Sequence, residues 1–319
     1  MSTATSLLSV VAPVYNEEAG LATFAERLVH VLDQLDSDLA WEVVFVNDGS
    51  TDRSIEILRE LGLSEPRIKI VDLSRNFGHQ LAITAGVDHA VGDAVVIIDS
   101  DLQDPPEVIA DLVDQWRKGF KVVYGVRSRR SGENRFKLMT AKWFYRLLGR
   151  LSDTPLPHDA GDFRLLDRTV VAVLGEMREE NRYLRGMVSW VGFPQTSVAY
   201  ERGPRLAGAS KYTLGKMVRF ALDGITSFTE RPLRLAAQLG FLVTVVAMAW
   251  MAWILIDVAI HPDAAIQGWP SLMATILFIG GVQLLTIGIL GEYLGRVYRE
   301  TKGRPLYVVG ERINCGDPT

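Results

Sequence analysis

The sequence predicts an α/β domain wound about a parallel sheet, continued by apolar helices long enough to cross a membrane. Three observations lead there. Short β-branched runs alternate with segments of helical spacing from Leu7 to about Val126. The loops after four successive runs share one polar, acidic chemistry, and the last third of the chain holds two long apolar stretches. A chain of 319 residues, 48% hydrophobic, is ample for one core and an added module, and a net charge of −4 argues against nucleic acid as the main partner. The single cysteine, Cys315, cannot form an intrachain disulfide, and no Cys/His cluster suggests zinc, so a reducing cytosolic setting fits the soluble part. No signal peptide is expected: Met1 to Ser9 lacks a basic region, and the apolar run from Leu7 to Val14 is short and contains Pro13.

Taken in order, strands are expected near Leu8–Ala12, Trp41–Val46, Ile68–Leu73, Val95–Ile98 and Val122–Gly125. Helices fill the gaps. Glu17–Leu35 carries Leu21, Phe24, Leu28, Val31, Leu32 and Leu35 at helical spacing, and Ser54–Leu61 and Gln80–Ala90 are similar. The loops after the first four strands are 13–18 (Pro-Val-Tyr-Asn-Glu-Glu), 47–52 (Asn-Asp-Gly-Ser-Thr-Asp), 74–79 (Ser-Arg-Asn-Phe-Gly-His) and the stretch opening at Asp99. All four should open on one edge of the sheet, which is where α/β sheets bind ligands. In the fourth, Asp99 and Asp101 set two carboxylates one residue apart at a strand end, and Pro105 and Pro106 stop the strand and offer a helix its first turn.

Neither G-x-G-x-x-G nor G-x-x-x-x-G-K-[ST] follows the first strand. With few backbone N–H groups gathered into a nest, a diphosphate in this crevice would have its charge met by a cation. Paired hard oxygen ligands with no nearby His or Cys favour Mg²⁺ or Mn²⁺, which keeps positions open for substrate phosphates. The plainer reading is that Asp99 and Asp101 cap the following helix, and that Asp48 to Asp52 is a turn and a cap. If the metal reading holds, Glu17 and Asp48 are available to accept from ribose hydroxyls or a base N–H.

These loops in this order resemble those of the family 2 glycosyltransferases of the GT-A, Rossmann-like fold. Within that family the chain is similar to the polyprenyl-phosphate glycosyltransferases, and the resemblance extends through Gly161-Asp162-Phe163-Arg164 to the apolar segments. It implies that Asp99 and Asp101 form the DxD element, with Gln103 a further metal ligand, and that Pro13, Tyr15, Glu17, Asp48 and Asp99 face the donor nucleotide. It also implies a base or sugar-orienting carboxylate at Asp162, for which the plainer reading is a cap of a helix beginning near Phe163. The Q-x-x-R-W signature of processive synthases is missing, since Arg185 is followed by Gly186, so chain extension is not expected.

Beyond Gly125 cations accumulate. Between Phe136 and Leu151, Lys137, Lys142, Arg146 and Arg150 alternate with apolar residues, as in an amphipathic helix lying in a membrane interface or a solvated helix packed on the domain. A second such stretch, Ser210 to Arg234, precedes Leu235–Ile256 and Ser271–Leu290, each able at about 1.5 Å per residue to cross a hydrocarbon core of ~30 Å. Arg231 and Arg234 precede the first segment, Arg296, Arg299, Lys302 and Arg304 follow the second, and the connection from Asp257 to Pro270 has no Lys or Arg. Both ends should therefore face the cytosol. Gly280, Gly281, Gly288, Gly291 and Gly295 permit close helix approach, within one chain or in a homo-oligomer.

The expectation is an enzyme of the inner (plasma) membrane, with a GT-A domain over 1–209, an interfacial helix over 210–234, two spans over 235–294 and a cytosolic tail over 295–319. It would move one sugar from a nucleotide donor to a polyprenyl phosphate, with inversion. Asp101 and Asp162 are the catalytic candidates, and Arg127, Lys137 and Lys211, at junctions with interfacial segments, are candidates for the acceptor phosphate. UDP-glucose is favoured by similarity alone; GDP-mannose, UDP-galactose, a modified pentose or another lipid acceptor remain open. So do a non-catalytic membrane subunit and a transporter component, although two spans with no internal ionisable residue offer no evident path.

Overall fold

The computed structural model describes residues 6–127, 160–180, 182–201, 231–260 and 269–316. The chain divides into two compact units, one of residues 1–149, 154–213 and 305–319, the other of residues 150–153 and 214–304.

The first unit is built on strands β1 (Ser6–Val14), β2 (Leu39–Asn47), β3 (Ile68–Leu73), β4 (Ala94–Ile97), β5 (Val122–Arg127), β6 (Ala160–Asp167), β7 (Gln195–Tyr200) and β8 (Val309–Ile313). They form one sheet in the order β7-β5-β6-β4-β1-β2-β3-β8. β1 runs parallel to β2 and β4, and β2 to β3, so the four adjacent strands β3-β2-β1-β4 make a parallel centre. β6 is antiparallel to both β4 and β5, while β7 is parallel to β5. The β-branched runs are buried on both faces, as the centre of such a sheet requires.

Helices α1 (Leu21–Asp33), α2 (Ser54–Ser64), α3 (His79–His89) and α4 (Val108–Arg117) follow the first four strands. The apolar stripe of α1 packs into the main core with Val10, Ala12, Val43 and Phe45, and Phe24 meets Phe45 edge to face. Helix α3 packs onto strand residues of alternate register. A Cβ on Gly86 would lie 2.2 Å from Val11 Cγ1, so glycine is what lets α3 approach the sheet.

Residues 160–167 are a strand, which corrects the alternative of a helix beginning near Phe163. Phe163 and Leu165 enter the core, while Arg164 is buried and donates to the Gly161 and Asp162 carbonyls. The cap belongs to Asp167, whose side chain accepts from Thr169 N at 3.0 Å at the start of α5 (Arg168–Glu176). Helix α6 (Leu184–Val191) and β7 follow. The end of the chain returns to the sheet: β8 pairs antiparallel with β3, and Asn314 Nδ2 donates to Gly62 O at 2.7 Å and Ile68 O at 2.9 Å. The predicted tail thus contains a strand of the first unit.

The second unit contains two long helices in contact, α7 (Arg231–Ile260) and α8 (Trp269–Thr301). Both carry exposed large apolar side chains, among them Phe241, Trp250, Trp253, Phe278, Leu284 and Ile287. Among the described residues, one helix, Phe278–Thr301, is long and apolar enough to cross a membrane by length and composition; Ala236–Trp250 is a shorter apolar stretch. Of the interfacial helices expected over 136–151 and 210–234, only residues 231–234 of the second fall within the described residues.

Candidate active site

The strand order reverses between β1 and β4, since β1 leads to β2 on one side and β4 lies on the other. Ligands of α/β sheets bind at the carboxyl ends of strands at such a switch point. The loops after β1 and β4 open there, and side chains fix their shape. Ser100 Oγ donates to Pro13 O at 2.8 Å, and Tyr200 Oη donates to buried Asp104 at 2.6 Å. Between them Leu102 adopts φ 59°. That left-handed turn lets Gln103 reach back to Asp101, with its N–H 3.1 Å from Oδ1 and its Nε2 2.6 Å from Oδ2.

Asp99 lies at the base of this platform with Oδ1 buried and without a hydrogen-bond partner. Burial pushes its carboxyl up to about 6, the His79 imidazole opposing that rise and the Asp162, Asp104 and Asp101 charges adding to it. His79, the first residue of α3, stands between two carboxylates, its Nε2 3.5 Å from Asp99 Oδ1 and 3.4 Å from Asp162 Oδ2. Burial would lower the imidazole, but the Asp162 and Asp99 carboxylates outweigh it and raise it. Arg185 of α6 grips Asp162 at two points, Nε to Oδ1 at 2.8 Å and Nη2 to Oδ2 at 3.0 Å. Burial would raise Asp162, but hydrogen bonds from His79 and Arg185 hold it well below the ordinary carboxylate range. A carboxylate so stabilised is a weak base and a firm acceptor of hydrogen bonds.

The loops expected on the nucleotide side are interlocked. Asn16, at φ 56°, accepts from Thr51 N at 2.8 Å, the Glu17 amide donates to Ser54 Oγ at 3.0 Å, and the Glu18 amide donates to Asp52 Oδ2 at 3.1 Å. Asp48 is buried, its oxygens accepting from Phe77 N at 2.7 Å and Gly78 N at 3.0 Å, so that it ties the β2 loop to the β3 loop. Gly49 holds φ 65° where a Cβ would lie 2.5 Å from the Arg75 and Asn76 backbone, which excludes any larger residue. Tyr15 is exposed beside this assembly.

The structure therefore brings Asp99, Asp101, Gln103 and Asp162 to one sheet edge, with Pro13 at the end of β1 and Tyr15 on the loop after it. Arg127 ends β5 opposite Tyr200, and Lys137 and Lys211 lie outside the described residues. Sequence reasoning missed His79 and Arg185. His79 sits in one of the four loops that announce the site. Arg185 entered the sequence reading only as the arginine of an incomplete Q-x-x-R-W signature, because its partner is fixed by the placing of α6 against β6.

The model of the family described as Glycosyl transferase family 2 matches residues 9–175. The chain belongs to this family. A second model, the GtrB C-terminal hairpin, matches residues 231–297, the stretch that forms α7 and α8. The glycosyltransferase is 51% identical over 94% of its length to an uncharacterized glycosyltransferase, YkcC, of Bacillus subtilis, covering 92% of that protein. It is 43% identical to a prophage bactoprenol glucosyl transferase homolog of Escherichia coli, covering 95% of this chain and 98% of that one. It is 42% identical to the bactoprenol glucosyl transferase of Shigella phage SfII, covering 98% and 99%.

In this family 2 enzyme the donor set fits a hard divalent cation. The orphaned Asp99 Oδ1 is an acceptor that such an ion would satisfy, and Asp101 lies two residues on. Among the described residues no group of three or more His, Cys, Asp or Glu side chains is disposed to hold a metal by itself. The aspartate pair would therefore leave coordination positions to substrate oxygens and water.

Proposed function

We propose that this glycosyltransferase moves one glucose from UDP-glucose to a polyprenyl phosphate such as undecaprenyl phosphate, at the plasma membrane, with inversion. The observation that carries the reading is the pairing, on one chain, of the Asp99–Asp101 platform at the switch point with two long helices that expose apolar side chains. The sugar and acceptor are taken from the near full-length relatives named bactoprenol glucosyl transferase. Helices α7 and α8 would both span the membrane, with the catalytic domain and both termini cytosolic.

Mg²⁺ or Mn²⁺, held by Asp99 and Asp101 with Gln103 supporting Asp101, would offset negative charge on the leaving diphosphate. The bond that forms joins an oxygen of the lipid phosphate to the anomeric carbon; the bond that breaks joins that carbon to the diphosphate, and the nucleoside diphosphate carries off the electron pair. One displacement inverts the anomeric centre. A phosphate monoester is largely dianionic at pH 7, its second pKa being about 6, so the nucleophile needs little help from a base. That suits Asp162, whose ionised carboxylate is better fitted to orient a hydroxyl or phosphate than to take a proton. The interlocked loops bearing Tyr15, Glu17 and Asp48 would seat the nucleoside.

The non-catalytic reading fits less well, because the aspartate pair and its supports are intact. A panel of nucleotide sugars, with Mn²⁺ present, tests the donor assignment by thermal stabilisation. UDP-glucose should raise the melting temperature most; a larger shift with GDP-mannose or a UDP-pentose would replace glucose with that sugar.

A further inference from the structure

The two-point ion pair between Asp162 and Arg185 has an unequal setting. The Asp162 side chain is 11% exposed and that of Arg185 34%, so the carboxylate is on the closed side and the guanidinium on the open one. Below them lies Arg164, a buried guanidinium that donates to the Gly161 and Asp162 carbonyl oxygens, and His79 approaches Asp162 from α3. One guanidinium and one imidazole thus meet at the Asp162 carboxylate, with Asp99 beyond His79 and Arg164 held on the backbone carbonyls beside it. A planar fork that grips a carboxylate at two points grips two phosphate oxygens equally well.

We propose that Arg185 is the residue that receives the acceptor's phosphate, and that Asp162 stands in the place of that phosphate in the resting protein. The inference rests on the reading of this chain as a transferase to a lipid phosphate, which obliges it to hold a second phosphate beside the donor's. With Asp99 and Asp101 serving the diphosphate, Arg185 is, among the described residues, a partly exposed cation placed on the other side of His79 from that pair. A phosphate arriving on the open side of Arg185 takes over its two contacts to Asp162 and leaves that carboxylate with His79, turned toward the sugar. Carboxylate and phosphate compete for one guanidinium, and the competition separates this role from a purely structural ion pair. A structural pair would lose stability when either partner is changed and would leave phosphate affinity alone.

The test uses the full chain in detergent and three probes: farnesyl phosphate, farnesol and UDP. Arg185→Gln should weaken farnesyl phosphate binding by about tenfold or more, the loss of a charge-assisted two-point contact. Arg185→Lys should fall between, and carries the test if the glutamine variant does not fold. Asp162→Asn should bind farnesyl phosphate more tightly than the parent, because the internal competitor has lost its charge, even though its turnover is lower. Farnesol should show none of these differences, and UDP affinity should stay within about twofold across the set. Unchanged farnesyl phosphate binding in both Arg185 variants, or no gain in Asp162→Asn, overturns the proposal; losses confined to UDP overturn it by assigning Arg185 to the donor. A parent protein that binds farnesyl phosphate but transfers no sugar would mark a failure of the enzymatic reading instead.

Discussion

Gln103 folds back onto Asp101, giving it two hydrogen bonds, one from the backbone at 3.1 Å and one from the side chain at 2.6 Å. The left-handed Leu102 between them makes this closure, and the closure fixes the direction of the Asp101 carboxylate. Asp101→Asn keeps an oxygen for Gln103 and leaves the core untouched. It should abolish turnover that depends on added Mn²⁺ while the melting temperature stays close to that of the parent. Parent activity that persists in full in the presence of a chelator contradicts the metal assignment.

Asp162→Asn removes a carboxylate that faces Arg185 and His79. Loss of a positioned group of this kind costs about 10²–10⁴-fold in rate, so kcat should fall at least about a hundredfold with donor affinity little changed. Asp162 belongs to a half-open ion pair and not to a helix cap, so stability should fall modestly, because water can screen the Arg185 guanidinium left behind. An unimpaired kcat in a folded variant removes Asp162 from the site.

Asp167 contributes to the acid stability of the catalytic domain. Burial pushes its carboxyl up, but hydrogen bonds from Thr169 Oγ1, Trp116 Nε1, Thr169 N and Lys121 Nζ outweigh that and hold it at about 2. The folded state therefore binds this proton less readily than the unfolded chain, where a carboxyl titrates near 3.9. Its contribution, about 2 kcal/mol, is complete above the unfolded value and is lost as pH falls from about 4 through 2. Asp167→Asn should lower the melting temperature at pH 7 and flatten its fall between those limits. An unchanged acid profile contradicts this.

Removal of residues 305–319 should unpair β3 and expose it as an edge. It also removes Asn314 from Gly62 and Ile68, and the Tyr307 hydroxyl from Asp88, to which it donates at 2.8 Å. A loss of about 2 kcal/mol would lower the melting temperature by roughly 4–8 °C. Adding a peptide of residues 305–316 should restore much of it. Full stability without the tail would mean that β8 is an ornament of the edge.

How much could be read in advance depends on where each signal resides. The parallel centre is legible because Val95 to Ile98 and its counterparts are unbroken apolar runs, buried on both faces. β6 is obscured by Arg164, whose charge is accommodated only by carbonyl groups that the folded strand supplies. β8 has little apolar content and becomes a strand only against the edge of β3. The aspartate pair is legible since both members lie on one short loop. The convergence of His79, Asp162 and Arg185 is not, since α3, β6 and α6 meet only in the tertiary fold.

Transfer itself is measured most directly in membranes containing the full chain, given UDP-glucose labelled in the sugar and undecaprenyl phosphate, with extraction of the lipid product. Label is expected in an acid-labile glucosyl lipid, formed with Mg²⁺ or Mn²⁺, lost with chelator and lost in Asp101→Asn. Label that enters only diacylglycerol or a growing polysaccharide, or no lipid labelling with any nucleotide sugar, would contradict the proposed transfer.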